Sequence, residues 1–272
     1  MRILICADIE GVAGVTHPDQ TREGHSEYER ARRWMTREVN AAIRGAFDGG
    51  AVELLAADAH GGYRNLLADE LDPRARLVSG KPRPLGMMGG LAAGFDGVML
   101  VGFHARAGTR GVLAHTINSS AFARVWLNGR ELGEAGLYGA LAGELGAPVV
   151  FASGDDVFIA ETRPLFPRAV FVETKQAMGR HAAVSLSPQA ACEAIEAGAR
   201  RAMAAAVRAE PLRLATPVSA RLRTQTPAHA DLFCQWPALA RIDGDTLEFS
   251  AASAEHAVRM FNCLSAMAMT LR

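Results

Sequence analysis

The chain has 272 residues, of which 49% are hydrophobic and 21% charged, a usage that supports a large buried core and excludes disordered, collagen-like and disulfide-scaffold proteins. Its 29 basic and 29 acidic residues cancel to a net charge of 0, so there is no basic excess to neutralise a phosphate backbone and nucleic acid is excluded as the main partner. Cys6, Cys192, Cys234 and Cys263 lie far apart without a C-x-x-C pair, and no uncharged apolar run reaches the about 18 residues that span a bilayer, so a cytoplasmic protein with reduced thiols and no membrane partner is expected.

From the N-terminus, Arg2 to Ala7 is a short apolar run cut off by Asp8, too brief for a signal-peptide core, and it reads as a strand. Ala31, Trp34, Met35, Val39, Ala42, Ile43, Ala46 and Phe47 recur at helical spacing, predicting a helix over Glu27 to Asp48 that Gly49-Gly50 stops. Val52 to Ala57 and Gly97 to Phe103 repeat the near-continuous apolarity of strands buried on both faces, as in a parallel sheet. Asn128-Gly129, between Ala123 to Leu127 and Arg130 to Leu132, signals a hairpin. A helix from about Ala135 to Leu145 and a fourth buried strand over Pro148 to Ser153 follow, then a strand at Ala169 to Glu173 and a helix over Ser187 to Ala209 with Ser187-Pro188 as its start. Pro211 to Pro217 reads as a linker, beyond which lie a strand near Val218 to Thr224, a hairpin around Asp243-Gly244-Asp245 and a final helix from Ala254 to Leu271. The expected architecture is α/β, a mainly parallel sheet flanked by helices over residues 1–210, with a smaller C-terminal α/β unit over residues 211–272.

Good metal ligands follow each of the first three apolar runs: Asp8 and Glu10, then Asp58 and His60, then His104. In open parallel sheets the carboxyl ends of the strands face one crevice, where ligands bind, so these side chains are expected to converge. Asp8 and Glu10, two apart on an extended chain, project to the same side. Two histidines with two or three carboxylates and no thiolate suit hydrolytic Zn2+, with Mn2+ or Co2+ as alternatives, and a carboxylate-rich set also fits two ions about 3.5–4 Å apart that activate a shared water. His115 and Glu134 come next in the chain and are placed to reach the same crevice, His115 as a proton donor to a leaving amine. Taken singly, each has an ordinary reading, a hydrogen-bonded loop histidine and an acidic residue opening a helix.

These residues fall within longer motifs. Asp8-Ile9-Glu10-Gly11-Val12-Ala13-Gly14, Tyr28-Glu29-Arg30 with Met35-Thr36, Asp58-Ala59-His60, Gly102-Phe103-His104-Ala105-Arg106, Gly111-Val112 with His115-Thr116, and Asn128-Gly129 followed by Gly133-Glu134 together resemble the zinc-dependent D-aminopeptidase family over nearly the whole chain. The resemblance implies two zinc ions per subunit, with Asp8 bridging both, Glu10 and His104 completing one and His60 and Glu134 completing the other. It implies a catalytic role for His115, as nucleophile in the family's proposed scheme or as proton shuttle if the metal pair activates water. It further implies a small peptide substrate with an N-terminal D-amino acid such as D-Ala, and a homo-oligomer of two stacked pentamers, a decamer, enclosing the active sites. Ser153-Gly154-Asp155-Asp156, Lys175-Gln176 and Gly179-Arg180 also resemble family segments, and Lys175 and Arg180 are expected either to orient a substrate carboxylate or oxyanion or to form surface salt bridges.

Two other classes compete. An aspartyl-phosphate phosphatase also begins with a strand followed by Asp-x-acid, but here Asp155-Asp156 precede Lys175 in the wrong order, the second acid is Glu10, and His60, His104 and Glu134 would go unexplained. A peptide-binding assembly protein without activity would not be expected to keep all five ligand candidates and His115. Gly11-Val12-Ala13-Gly14 and Gly86-Met87-Met88-Gly89-Gly90 lack the G-x-G-x-x-G order of a dinucleotide site.

Overall fold

The computed structural model describes residues 1–92 and 94–271. A seven-stranded sheet is built from β1 (Arg2–Ala7), β2 (Glu53–Asp58), β3 (Arg76–Val78), β4 (Gly97–Phe103), β7 (Val149–Asp155), β8 (Val170–Gly179) and β9 (Ala182–Ser185), in the order β3-β2-β1-β4-β7-β8-β9. All neighbours run parallel except β8 and β9, which form an antiparallel edge ribbon. Side chains of β1 alternate between the faces. Ile3 and Ile5 pack with Met35 and Val39 of α1 (Tyr28–Asp48) and with Ile195 and Met203 of α4 (Pro188–Ala206). Leu4 and Cys6 face the opposite core, which contains Leu137 and Leu141 of α2 (Glu134–Glu144) and Phe261 of α6 (Ala254–Met267). Burial on both faces is why the central strands carry no alternation of polarity.

A second, antiparallel sheet has the order β11-β12-β10-β5-β6, from β5 (Phe122–Leu127), β6 (Arg130–Glu131), β10 (Val218–Thr224), β11 (Ala240–Arg241) and β12 (Thr246–Ala251). Its hairpin β5–β6 turns at Asn128 and Gly129 with φ of 48° and 76°, the pair of left-handed residues that matches strand twist in a two-residue turn. β10 alternates buried and exposed residues without a break, as expected of a strand with one face on the core. The segment over residues 211–272 thus shares its sheet with β5 and β6, which come from residues before 211.

The expected elements appear with small shifts. α1 stops at Gly49, α4 begins at Pro188 behind the Ser187 cap, whose hydroxyl accepts from the Ala190 amide at 3.2 Å, and α6 gives way to a 3-10 turn over Ala268–Leu271. β8 runs on to Gly179, well past the expected Glu173, because it pairs with β7 on one side and turns into β9. Two short helices, α3 (Asp156–Thr162) and α5 (Pro227–Phe233), complete the fold. Among the described residues no helix is long and apolar enough to cross a membrane.

Candidate metal centre

The strand order decides what meets at the carboxyl end of the sheet. β1 lies between β2 and β4, so Asp8 emerges with His60 on one side and His104 on the other. His60 Nδ1 lies 3.2 Å from Asp8 Oδ1 and 2.8 Å from Glu10 Oε2. His104 Nε2 lies 3.5 Å from Asp8 Oδ2 and 3.6 Å from Glu134 Oε1. Glu134 reaches the site because α2 begins there, directly after the β5–β6 hairpin, and its Oε1 accepts the Ile117 amide at 2.6 Å. His115 stacks on His104 with ring centroids 4.1 Å apart and planes at 9°, and its Nε2 lies 3.7 Å from Glu134 Oε1. The six side chains that the resemblance implies for the site, Asp8, Glu10, His60, His104, His115 and Glu134, therefore meet in one place. Asp8, Glu10, His104 and Glu134 are each no more than 5% exposed.

Each histidine is held by its outer nitrogen. His60 Nε2 lies 2.8 Å from the Thr21 carbonyl, His104 Nδ1 2.9 Å from that of Ala105, and His115 Nδ1 3.0 Å from that of Leu113. A carbonyl can only accept, so the outer nitrogen carries a proton, and the inner one, aimed at the carboxylates, is the nitrogen that can release its proton to a metal ion. Carboxylates gathered in a buried site repel one another unless cations, imidazolium or metal, lie among them. In keeping with this, His104 Nε2 and Glu10 Oε2 are buried without a hydrogen-bond partner. The donor set therefore fits divalent cations of the zinc type: imidazole and carboxylate donors, each imidazole oriented by a main-chain carbonyl.

The electrostatics agree. Burial and the neighbouring Glu10 push the Asp8 carboxyl up to about 7. Burial alone would lower His104, but Glu134 and Asp8 carry it up to about 10, and Glu10 and Asp8 likewise overcome burial to hold His60 well above its ordinary range. Around His115 the balance is reversed, and burial together with His104 lowers its pKa. The carboxylates of the centre thus hold His60 and His104 charged, a demand for cations that a metal ion would also meet, and His115 is kept neutral at the rim.

Of the two glutamates, His60 contacts Glu10 and His104 contacts Glu134. His60 sits on the Glu10 side because both flank the β2 edge of β1, whereas Glu134 arrives on the β4 side with His104. The donor atoms of Asp8, Glu10 and His104 nevertheless lie within 4.8 Å of one another, as do those of His104, His115 and Glu134. Asp58 turns away from the centre. Its carboxylate accepts the Asn65 and Leu66 amides at 2.6 and 2.7 Å and the Asn65 side chain at 2.8 Å, shaping the turn that presents His60. Asp155 caps α3 through the Phe158 amide at 2.7 Å and holds the Val112 amide at 2.6 Å, three residues before His115. Lys175 is buried on main-chain carbonyls and forms no surface salt bridge, and the exposed Arg180 donates to the Ala114 carbonyl. The Thr21 carbonyl went unnoticed in the sequence because a main-chain acceptor has no residue-type signature.

A family model of D-aminopeptidases matches residues 1–263. A D-aminopeptidase of Bacillus subtilis (strain 168) is 36% identical over 188 residues, covering 69% of this chain and 68% of that protein. Among solved structures, that of the Zn-dependent D-aminopeptidase DppA from Bacillus subtilis, described as a self-compartmentalizing protease, superposes with a TM-score of 0.96 at 30% identity, covering 99% of this chain and 98% of the other. With a family model matched over residues 1–263 and its α/β architecture matched over 99% of its length, the chain belongs to the D-aminopeptidase family of peptidases.

Proposed function

We propose that this protein is a cytoplasmic, zinc-dependent aminopeptidase that removes an N-terminal D-amino acid, such as D-Ala, from short peptides, including those released by cell-wall turnover. The observation that carries the reading is the pair of imidazole nitrogens of His60 and His104, each oriented by a main-chain carbonyl on the far side and aimed at shared carboxylates. Asp8 would be shared by both ions, with Glu10 and His104 completing one and His60 and Glu134 the other, and the donor atoms of Asp8, Glu10 and His104 lying within 4.8 Å of one another support this grouping. Charge supports two ions: three buried carboxylates facing neutral imidazoles would remain net negative around one divalent cation.

When bound, zinc supplies a Lewis acid for the scissile carbonyl and lowers the pKa of water. The chain's own residues supply the rest. Glu10 and Glu134 hold the two sides of the centre, and Ile117 keeps Glu134 in place through its amide. His115, neutral and at the rim, accepts a proton from the attacking group and passes it to the leaving amine. His115 is held between Leu113 and Ile117, both with left-handed φ, of 52° and 60°, a conformation that the surrounding contacts must stabilise.

Zinc removal by a chelator is expected to abolish hydrolysis of D-Ala-D-Ala, and zinc to restore it, with two equivalents per chain by elemental analysis. Manganese and cobalt form the comparison arms, and L-Ala-L-Ala is expected to be cleaved at least about tenfold more slowly, the discrimination that one misplaced methyl group produces. Equal rates on both dipeptides, or full activity without metal, would refute the reading. We also propose a homodecamer of two stacked pentamers. Met178, Val184 and Leu186 on and beside the β8–β9 ribbon are 66%, 62% and 40% exposed, an apolar surface suited to a subunit contact. Light scattering is expected to give the mass of ten chains, and a monomer would remove the enclosure.

A further inference from the structure

Lys175 lies in the middle of β8 and is 2% exposed. A buried ammonium must place all three of its protons on acceptors. Here Nζ donates to the main-chain carbonyls of Glu10 at 2.6 Å, Val12 at 2.9 Å and Val15 at 2.5 Å. The loop over residues 10–15, the direct continuation of β1, is folded around this one cation. Neighbouring groups grip the same loop. The Thr174 hydroxyl lies 2.8 Å from the Gly11 carbonyl, the Ser185 hydroxyl accepts the Gly14 amide at 2.8 Å, and Glu38 Oε1 accepts the Ala13 amide at 2.8 Å. On its other side the loop is pressed against the end of β4, where a Cβ on Gly11 would lie 1.9 Å from the Phe103 carbonyl oxygen, immediately before His104.

We propose that Lys175 is a positioning residue for Glu10. Three carbonyl dipoles converging on one point repel each other unless a cation sits among them, so the ammonium holds the Glu10 backbone in register with the ends of β1 and β4. Its protons are all committed and its side chain is shut off from solvent, so it does not bind substrate. The inference rests on the reading of Glu10 as a metal ligand. It adds that the edge ribbon β8–β9, which contributes no ligand, sets the geometry of the Asp8, Glu10 and His60 side of the centre.

The test uses the full chain and zinc itself. Lys175→Met is expected to keep the parent's circular dichroism and to bind one zinc equivalent about 10–100-fold more weakly in a chelator competition, the scale set by removing an outer partner of a ligand. Its kcat should recover in excess zinc, with KM for D-Ala-D-Ala close to the parent's. Lys175→Arg is not expected to restore affinity, because a planar guanidinium cannot direct its donors to three clustered carbonyls in the same volume. Glu10→Gln is the reference. Weakened zinc binding in Glu10→Gln with parental binding in Lys175→Met overturns the positioning role alone, whereas parental binding in Glu10→Gln overturns the metal-centre reading and the proposal with it. A raised KM with unchanged zinc affinity in Lys175→Met would make Lys175 a substrate group and also overturn the proposal. A measurement on the parent does not depend on any variant folding. The amides of Gly11 to Val15 are expected to exchange slowly with solvent deuterium even in zinc-stripped protein, and rapid exchange there would show that the ion, not Lys175, holds the loop.

Discussion

Asp8→Asn is expected to remove zinc from both sides of the centre and to lower kcat/KM for D-Ala-D-Ala by at least about a thousandfold, the equivalent of losing several kcal/mol of transition-state stabilisation. Asp8 is the residue whose two carboxylate oxygens face different histidines, Oδ1 toward His60 and Oδ2 toward His104. The amide is nearly isosteric, so the change removes charge and ligation without opening a cavity. Stability supplies an internal control. Burial and Glu10 already push the Asp8 carboxyl up to about 7, so its charge is unfavourable in the metal-free fold. The apo forms of parent and Asp8→Asn should therefore unfold at similar denaturant concentrations, while only the parent gains stability from zinc, by the mass-action linkage of a ligand that binds the native state. Elemental analysis and paired urea titrations with and without zinc measure both effects. A variant that still carried two zinc ions, or that hydrolysed the dipeptide at the parent rate, would show that the centre lies elsewhere.

Much of this site was legible before any coordinates because a parallel sheet imposes a rule on sequence. The runs Arg2 to Ala7, Val52 to Ala57 and Gly97 to Phe103 are apolar apart from Arg2 and Glu53 since both faces of their strands are buried, and the polar residues that follow must then lie at one rim. The strand order, however, leaves no trace in local pattern. It is the position of β1 between β2 and β4 that sets His60 on one side of Asp8 and His104 on the other. Asp58 looked like a ligand for the same reason that it is not one. It stands at a strand end, but the turn after it has amides to satisfy, and those of Asn65 and Leu66 take its carboxylate. The pairing of β5 with β10 joins Phe122–Leu127 to Val218–Thr224 across some ninety intervening residues, and alternation marks β10 as a strand without naming its neighbour. Lys175 was visible as a residue but not as a role, because main-chain carbonyls are written nowhere in the sequence.

His115→Ala is expected to lower kcat by about 10²–10⁴-fold, the usual contribution of a positioned proton-transfer group, while zinc content stays at the parent level. His115 stands apart from the two ligand histidines in its electrostatics as well as its place. Burial and His104 lower its pKa from the ordinary value of 6.5, and a cation bound beside it acts in the same direction. At neutral pH the ring is therefore uncharged, with Nδ1–H on the Leu113 carbonyl and Nε2 free to take a proton, the state a general base requires. The acid limb of the kcat–pH profile should accordingly fall below 6.5 in the parent and be missing from His115→Ala. Added imidazole distinguishes the two chemistries open to this residue. A proton shuttle can be replaced in part by a diffusible base, so the variant's rate should rise with imidazole concentration. A nucleophile would instead form a covalent aminoacyl adduct on the ring, giving the parent a burst of product in rapid-quench experiments. Stacked on His104 at 4.1 Å, the ring has one face covered and its Nε2 edge directed into the centre, an arrangement that favours in-plane proton transfer. A burst in the parent together with no imidazole rescue would assign His115 the nucleophile's role and overturn the shuttle.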